Sequence, residues 1–420
     1  MGPAVYHIKK MKTQKRRRAR RPLYLFFVLV VISGYSSWVL LRPLAALNPI
    51  PRSSTVRMDT APATLSWPVA GQSAVGILGT DISALYGKQT PVPIASTAKV
   101  ITALVVLEKK PLKQGEQGSV ITLTPADVAL YENYKAIDGS LLPVVAGEQI
   151  SEYQMMQAIM LPSANNIADT MAIWAYGSLP AYADAANAYL AAHGLTNTHV
   201  GSDASGLSPS TTSTAEDLVK LGKLAMQHTV LAEVVGQSTA AGIPLTSSIK
   251  NVNSLLGTNN IIGIKTGNTD EAGGVFMSAS RITINSKPIT IITAVAGSPN
   301  LFGALKDSLT LIKSAQVNFA TVQLVKAGDI LGRYQLPQGG SVAAVAAKDL
   351  KLVGWKGPPV LAQMRLQPLA SKDASSSPGL TAGSVTIPES VLTNQQSIAV
   401  ELKTVAAEPS ALWRLTHPLN

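Results

Sequence analysis

The 420-residue chain contains no cysteine. That excludes disulfides, thiolate zinc sites and a cysteine nucleophile, and leaves the compartment open. Charge is sparse as well. Only 14% of residues are charged against 46% hydrophobic, a globular balance tilted by an apolar segment. No acid occurs before residue 23, whereas nine lysines and arginines lie between Lys9 and Arg21. Removing those nine from the net charge of +11 leaves about +2 for everything else. The folded part is therefore nearly neutral, and nucleic-acid binding loses its main support. The histidines (His7, His193, His199, His228, His417) show neither metal-ligand spacing nor an H-E-x-x-H or G-x-S-x-G context, so a metallopeptidase or a Ser-His-Asp hydrolase is disfavoured.

What is present begins with Leu23–Leu41, a run without a charged residue. At about 1.5 Å per residue it is long enough to cross a hydrocarbon core of ~30 Å. The basic block at 1–22 precedes it and Trp38 lies near its far end, so the positive-inside rule puts the N-terminus in the cytoplasm. Everything after residue 42 is then outside. A cleaved signal peptide is the alternative, but the run is long for one and no clean small-x-small site follows.

Residues 42–66 carry Pro43, Pro51 and Pro62 among small polar residues and read as an extended linker. From Trp67 the pattern changes. "SAVGILG" and "SALYG" read as a strand pair, and "PIASTAKVITALVVLEKK" as a helix. Ser151 with Gln154 forms a capping box, Pro162 interrupts the helix that follows, and Ser213 with Glu216 predicts another box. Strands return at "IIGIKTG", "GGVFMSASRITI" and "PITIITAVAG", the last two joined by a turn at Asn285-Ser286. The order predicts an α+β domain over 67–320, an antiparallel sheet flanked by helices with a helical insertion. Residues 321–420 are rich in valine and predict a small all-β domain, with "ASKDASSSPGLTAGS" as a solvated loop.

Three short motifs carry chemistry. In Ser96-Thr97-Ala98-Lys99 the serine and lysine share a helix face at i and i+3, so the amine can reach the hydroxyl. A desolvated lysine of lowered pKa can deprotonate a serine nucleophile, and a helix N-terminus can stabilise an oxyanion. A lysine stem snorkelling from a core helix explains the same spacing, and "SSIK" at Ser247–Lys250 repeats it. Ser163-Ala164-Asn165 follows Pro162, where a break lets both side chains face one cleft; an ordinary helix cap is the alternative, and "SPN" at Ser298–Asn300 matches too. Lys265-Thr266-Gly267 suits a strand edge that binds a carboxylate and lets a ligand backbone approach, or simply a strand ending in a turn.

Together the three motifs are far more specific than any one. In order and surroundings they resemble the penicillin-recognising serine acyl-transferases, and among them the D-alanyl-D-alanine carboxypeptidases, the low-molecular-mass penicillin-binding proteins. The segments "ALYGKQTPVPIASTAKVITALVVLE", "VVAGEQISEYQMMQAIMLPSANNIAD" and "IIGIKTGNTDEAGGVFMSAS" carry the resemblance over roughly 67–320. It implies a beta-lactamase/transpeptidase-like fold, with the β-rich tail similar to the family's C-terminal domain. It also implies a cell-membrane enzyme of cell-wall biogenesis and cell shape that removes the terminal D-alanine from peptidoglycan stem pentapeptides. Ser96 would be acylated, Lys99 would be its base, and Ser163 would relay a proton. Asn165, Lys265, Thr266 and Gly267 would bind substrate, and the backbone N–H groups of Ser96 and Asn268 would form the oxyanion hole. Beta-lactams would inhibit, and neither a cofactor nor a metal is expected.

The chain departs from the family's habit at Asn268, Ala164 and Asn166, where His, Gly and Asp are frequent, and no C-terminal amphipathic anchor is read. A D,D-endopeptidase, a beta-lactamase and a catalytically silent envelope-binding scaffold are the alternatives. Against a class A beta-lactamase, Thr196–Ser208 offers Asp203 but no glutamate.

Overall fold

The computed structural model describes residues 8–244, 246–284, 286–377, 379–390 and 394–419, and of 8–21 and 376 the backbone alone. The apolar run forms the C-terminal part of one helix, Ile8–Leu41. Its Pro22–Leu41 stretch is long and apolar enough to cross a membrane. Its side chains from Leu23 to Ile32 are exposed, which a core helix would not tolerate.

The α+β part is built on a five-stranded antiparallel sheet in the order Ile261–Thr269, Gly273–Ile284, Lys287–Ser298, Gln72–Ile77, Ser83–Tyr86. Both faces are covered. Helix Leu301–Gln316 packs on one face, burying Val75, Ile77, Phe276, Ile291 and Leu311. Helix Ala215–Gln227 packs on the other with helix Lys99–Lys109 behind it, around Ala74, Leu218, Leu221, Met277 and Ile292. Gly222 is required there, because a Cβ would sit 2.7 Å from the Ile292 side chain. Apolar residues on both faces of the central strands explain why those strands read as near-continuous hydrophobic runs. The turn expected at Asn285-Ser286 lies where Gly273–Ile284 and Lys287–Ser298 meet, although Asn285 is outside the described residues.

Local signals in the helical insertion hold with one shift. Ser151 and Gln154 form the reciprocal capping box of helix Glu152–Met160. Helix Ala215–Gln227 is capped by Thr214 rather than Ser213. Ser213 lies in a two-residue strand paired with Val92–Pro93, and its hydroxyl meets that of Thr198 at 2.8 Å, so it is already engaged.

Beyond residue 318 the chain forms a second unit with its own core around Tyr334, Ala344, Val385 and Val400. Its main sheet has seven antiparallel strands, and two of them come from the segment read as a linker. Pro49–Pro51 pairs with Ile330–Gln335 at one edge, and Thr55–Met58 pairs with Val360–Leu366 at the other. Prolines hide strands from a sequence reading, yet an edge strand tolerates them because one row of its N–H groups needs no partner. The Ser-rich stretch read as a loop likewise carries regular structure among its described residues. It holds helix Ser371–Ser376 and the start of strand Thr381–Ile387, pinned by the small buried residues Ala374 and Ala382. Trp355 is buried edge-on against Phe319, a packing role. A short helix, Ala411–Thr416, packs against the C-terminal end of helix Ile8–Leu41, where the Tyr35 hydroxyl donates to the Leu415 carbonyl at 3.0 Å.

Candidate active site

Ser96 lies in a 3-10 turn, Ala95–Ala98, that feeds directly into helix Lys99–Lys109. The turn is strained at its entry, since Ala95 has φ +46°. It is held from two sides by glycines. A Cβ on Gly206 would fall 2.2 Å from the Ala95 carbonyl oxygen, and one on Gly267 would fall 2.9 Å from that of Ile94. Close approach of the edge strand Ile261–Thr269 to the nucleophile turn is what Gly267 provides.

One helical turn on from Ser96, Lys99 is fully buried. Its Nζ donates to the Ser96 Oγ at 2.8 Å, the Asn165 Oδ1 at 2.7 Å and the Ser205 carbonyl at 2.9 Å. Burial, helped by the charge of Lys265, holds its amine well below the ordinary lysine value, against the opposing pull of Asp203 and Asp169. The snorkelling alternative is thereby removed: this amine points inward, onto a serine hydroxyl.

The second motif sits opposite. Helix Glu152–Met160 ends just before Pro162, Ser163 adopts φ +68°, and a new helix starts at Asn165. The left-handed residue breaks the helical course, so Ser163 and Asn165 are not fixed in the opposed directions of i and i+2 on a regular helix, and the Asn165 amide reaches Lys99. The Ser163 Oγ is buried and has no partner among the described residues, although a buried hydroxyl normally finds one. Asn166 does not face the site; its side chain ties to the backbone of Leu142 through bonds of 3.0 and 2.9 Å.

The third motif lines the sheet edge. Lys265 and Thr266 are buried, and Asn268 is exposed at the strand's end. Lys265 donates to the Thr266 carbonyl at 3.1 Å, and burial lowers its amine to about 7. The eight sequence-predicted residues lie on three elements, the nucleophile turn with its helix, the break after Pro162 and the edge strand, and contacts join them through Lys99 to Asn165 and through Gly267 to the turn at Ile94–Ser96. Among the described residues no His, Asp or Glu cluster suits a metal ion.

The motifs do not reveal what holds the Ser205 carbonyl against Lys99. Asp203 accepts from the Ser205, Leu207 and Ser208 N–H groups at 2.7, 3.1 and 2.8 Å and so shapes the loop. Thr102 donates to the Ala204 carbonyl at 2.6 Å. Asp169 accepts the Ala204 N–H at 2.9 Å and the Tyr134 hydroxyl at 2.7 Å; burial raises its carboxyl to about 6. The one sequence signal for Asp169 is its place four residues after Asn165, on the same helix face. Tyr134 comes from another helix, Pro125–Lys135, and has no such signal.

Residues 72–299 match the D-alanyl-D-alanine carboxypeptidase family, peptidase S11. A D-alanyl-D-alanine endopeptidase of Pseudomonas aeruginosa is 33% identical over 208 residues, which is 48% of this chain and 63% of that protein. The D-alanyl-D-alanine carboxypeptidase DacA of Escherichia coli is 29% identical over 246 residues, 56% of this chain and 57% of that one. The chain therefore spans less than two thirds of the length of these relatives. Among solved structures, a peptidoglycan synthesis regulatory factor (PBP3) from Streptococcus pneumoniae superposes with a TM-score of 0.55 over 82% of this chain and all of its own. At 19% identity that likeness speaks for the fold, the C-terminal unit included. With the family match covering more than half of the chain, and all three motifs inside it, the protein belongs to the D-alanyl-D-alanine carboxypeptidase family.

Proposed function

We propose that the protein is a serine D-alanyl-D-alanine carboxypeptidase that trims the terminal D-alanine from peptidoglycan stem pentapeptides. The observation that carries this is the 2.8 Å bond between a fully buried lysine amine and the Ser96 hydroxyl, beside the edge strand of the sheet. The substrate lies as an added strand along Lys265–Asn268. Lys265 and Thr266 hold its terminal carboxylate, and Asn165 binds its backbone. Lys99 takes the Ser96 proton as the oxygen attacks the penultimate carbonyl, and the N–H groups of Ser96 and Asn268 steady the oxyanion. Ser163 passes a proton to the departing amine of D-alanine. Water then cleaves the ester and restores Ser96. A beta-lactam acylates the same oxygen and leaves slowly.

The apolar helix anchors the enzyme as a single span, with its basic N-terminus in the cytoplasm and the catalytic unit on the wall side. A second reading, D,D-endopeptidase action on cross-links, draws on the relative from Pseudomonas aeruginosa that bears that name. A fluorescent penicillin should label the wild-type protein and spare Ser96→Ala. Release of D-alanine from a pentapeptide, with purified cross-linked dimers left intact, supports the carboxypeptidase. Cleavage of the dimers alone would transfer the assignment to the endopeptidase, and a folded protein that takes no label would be a scaffold.

A further inference from the structure

Far from the catalytic cleft, a cavity of about 380 Å³ opens where the apolar helix ends. Four segments wall it: the outer end of that helix with the residues after it, the turn at 336–338, the start of helix Ser371–Ser376, and the C-terminal segment up to Arg414. Its charged lining is Arg42, Lys372 and Arg414 against one acid, Glu408, which already accepts from the Ser375 hydroxyl at 2.9 Å. Leu40, Leu41 and Leu44 give it an apolar side.

Two side chains that line this cavity each keep a buried polar atom without a partner among the described residues. Arg414 donates through Nη2 to the Arg42 carbonyl, but its Nε has no acceptor. Gln338 donates to the Ala407 carbonyl, but its Oε1 receives no proton. Both atoms are closed to solvent, so what the cavity offers a ligand is charge: three cations against one acid, itself engaged, call for an anion. The surroundings place that ligand at a bilayer surface. Trp38 is exposed under the Arg42 guanidinium at 5.7 Å, and Leu412 is exposed on the C-terminal helix, which meets the apolar helix at Tyr35.

We propose that this cavity seats the headgroup of an anionic phospholipid such as phosphatidylglycerol, in the leaflet at the outer end of the helix. The phosphodiester sits among the positive charges of Lys372, Arg42 and Arg414. The glycerol backbone and acyl chains leave along Leu40, Leu41 and Leu44. The inference rests on the reading of Ile8–Leu41 as a membrane span.

The test uses the full chain in a neutral detergent. Short-chain phosphatidylglycerol, short-chain phosphatidylcholine and free glycerol phosphate are titrated separately against tryptophan fluorescence, to which Trp38 and Trp413 contribute beside the cavity. Phosphatidylglycerol should saturate at least tenfold more tightly than the other two. Lys372→Gln and Arg414→Gln should each weaken it about fivefold, the effect of one cation at a membrane surface, with the rate of penicillin labelling unchanged. Equal binding of the two lipids, or variants that bind like the wild type, would overturn the proposal. Glycerol phosphate binding as tightly as the lipid would assign the cavity to a soluble polyol phosphate and overturn the lipid as occupant. If Arg414→Gln loses labelling through misfolding, Lys372→Gln still decides, because residue 372 is exposed. A chain that stays soluble without detergent would sink the membrane reading itself; one that needs detergent but ignores phosphatidylglycerol would sink only the headgroup site.

Discussion

Replacing Lys99 with methionine isolates the chemistry of the amine. Methionine keeps the unbranched stem that packs in the fully buried position, and removes only the group that reaches Ser96, Asn165 and Ser205. If Lys99 is the base, acylation should fall by about 10²- to 10⁴-fold, or about 3–5 kcal/mol of barrier. The fold should persist. Leaving the Asn165 and Ser205 acceptors without a donor costs about 1–3 kcal/mol each. Against that, folding no longer has to hold a buried amine neutral, a cost of about 1.4 kcal/mol for each pH unit by which its pKa is lowered. The two largely offset, so the melting temperature should move by no more than about 2–8 °C. The assay is the second-order rate of labelling by a fluorescent penicillin, with thermal unfolding measured on the same samples. A folded Lys99→Met protein that acylates within tenfold of the wild type would refute the role of Lys99 as base.

The remaining expectations follow from other contacts. With Lys265 at about 7, its positive charge is present below that pH and lost as pH rises through it, while Lys99 must be unprotonated to act. Thus kcat/KM for a D-Ala-D-Ala peptide should be bell-shaped, and in Lys265→Arg the alkaline limb should move up by more than about two pH units; an unmoved limb would remove Lys265 from carboxylate binding. Gly267→Ala places a Cβ 2.9 Å from the Ile94 carbonyl oxygen and 3.2 Å from the Ser96 nitrogen, so acylation should drop at least about tenfold as the edge strand is pushed off the nucleophile turn. Tyr134→Phe removes the 2.7 Å bond to Asp169, and denaturant unfolding should show a loss of about 1–3 kcal/mol. Its acylation rate should also fall, because Ala204 and Ser205 are then held less firmly.

Short-range chemistry made several features legible from the sequence. The apolar run at Leu23–Leu41, the Ser151–Gln154 cap, the break at Pro162 and the alternation of strands around Lys265 each depend on neighbours within about one helical turn. Displacements arose where the backbone was already committed elsewhere, as when strand pairing engaged Ser213 and left the cap to Thr214. Residues 49–58 could not be read as strands, because their partners lie some 280 to 310 positions away and edge pairing carries no local signature.

The site divides in the same way. By itself the sequence determined the residue types, Ser96 with Lys99 three positions on, Ser163 with Asn165, and Lys265-Thr266-Gly267, because each motif is local and its order in the chain is specific. Only the tertiary structure decided that Lys99 faces inward rather than snorkelling, whereas the equally spaced "SSIK" lies in a strand, Ser248–Lys250, with Lys250 exposed. It alone brought the Ser205 carbonyl, Asp169 and Tyr134 behind the lysine, from loops and helices that share no sequence neighbourhood. The physical reason is desolvation: a lysine becomes a base only where packing from distant segments excludes water, and no window along the chain records that exclusion.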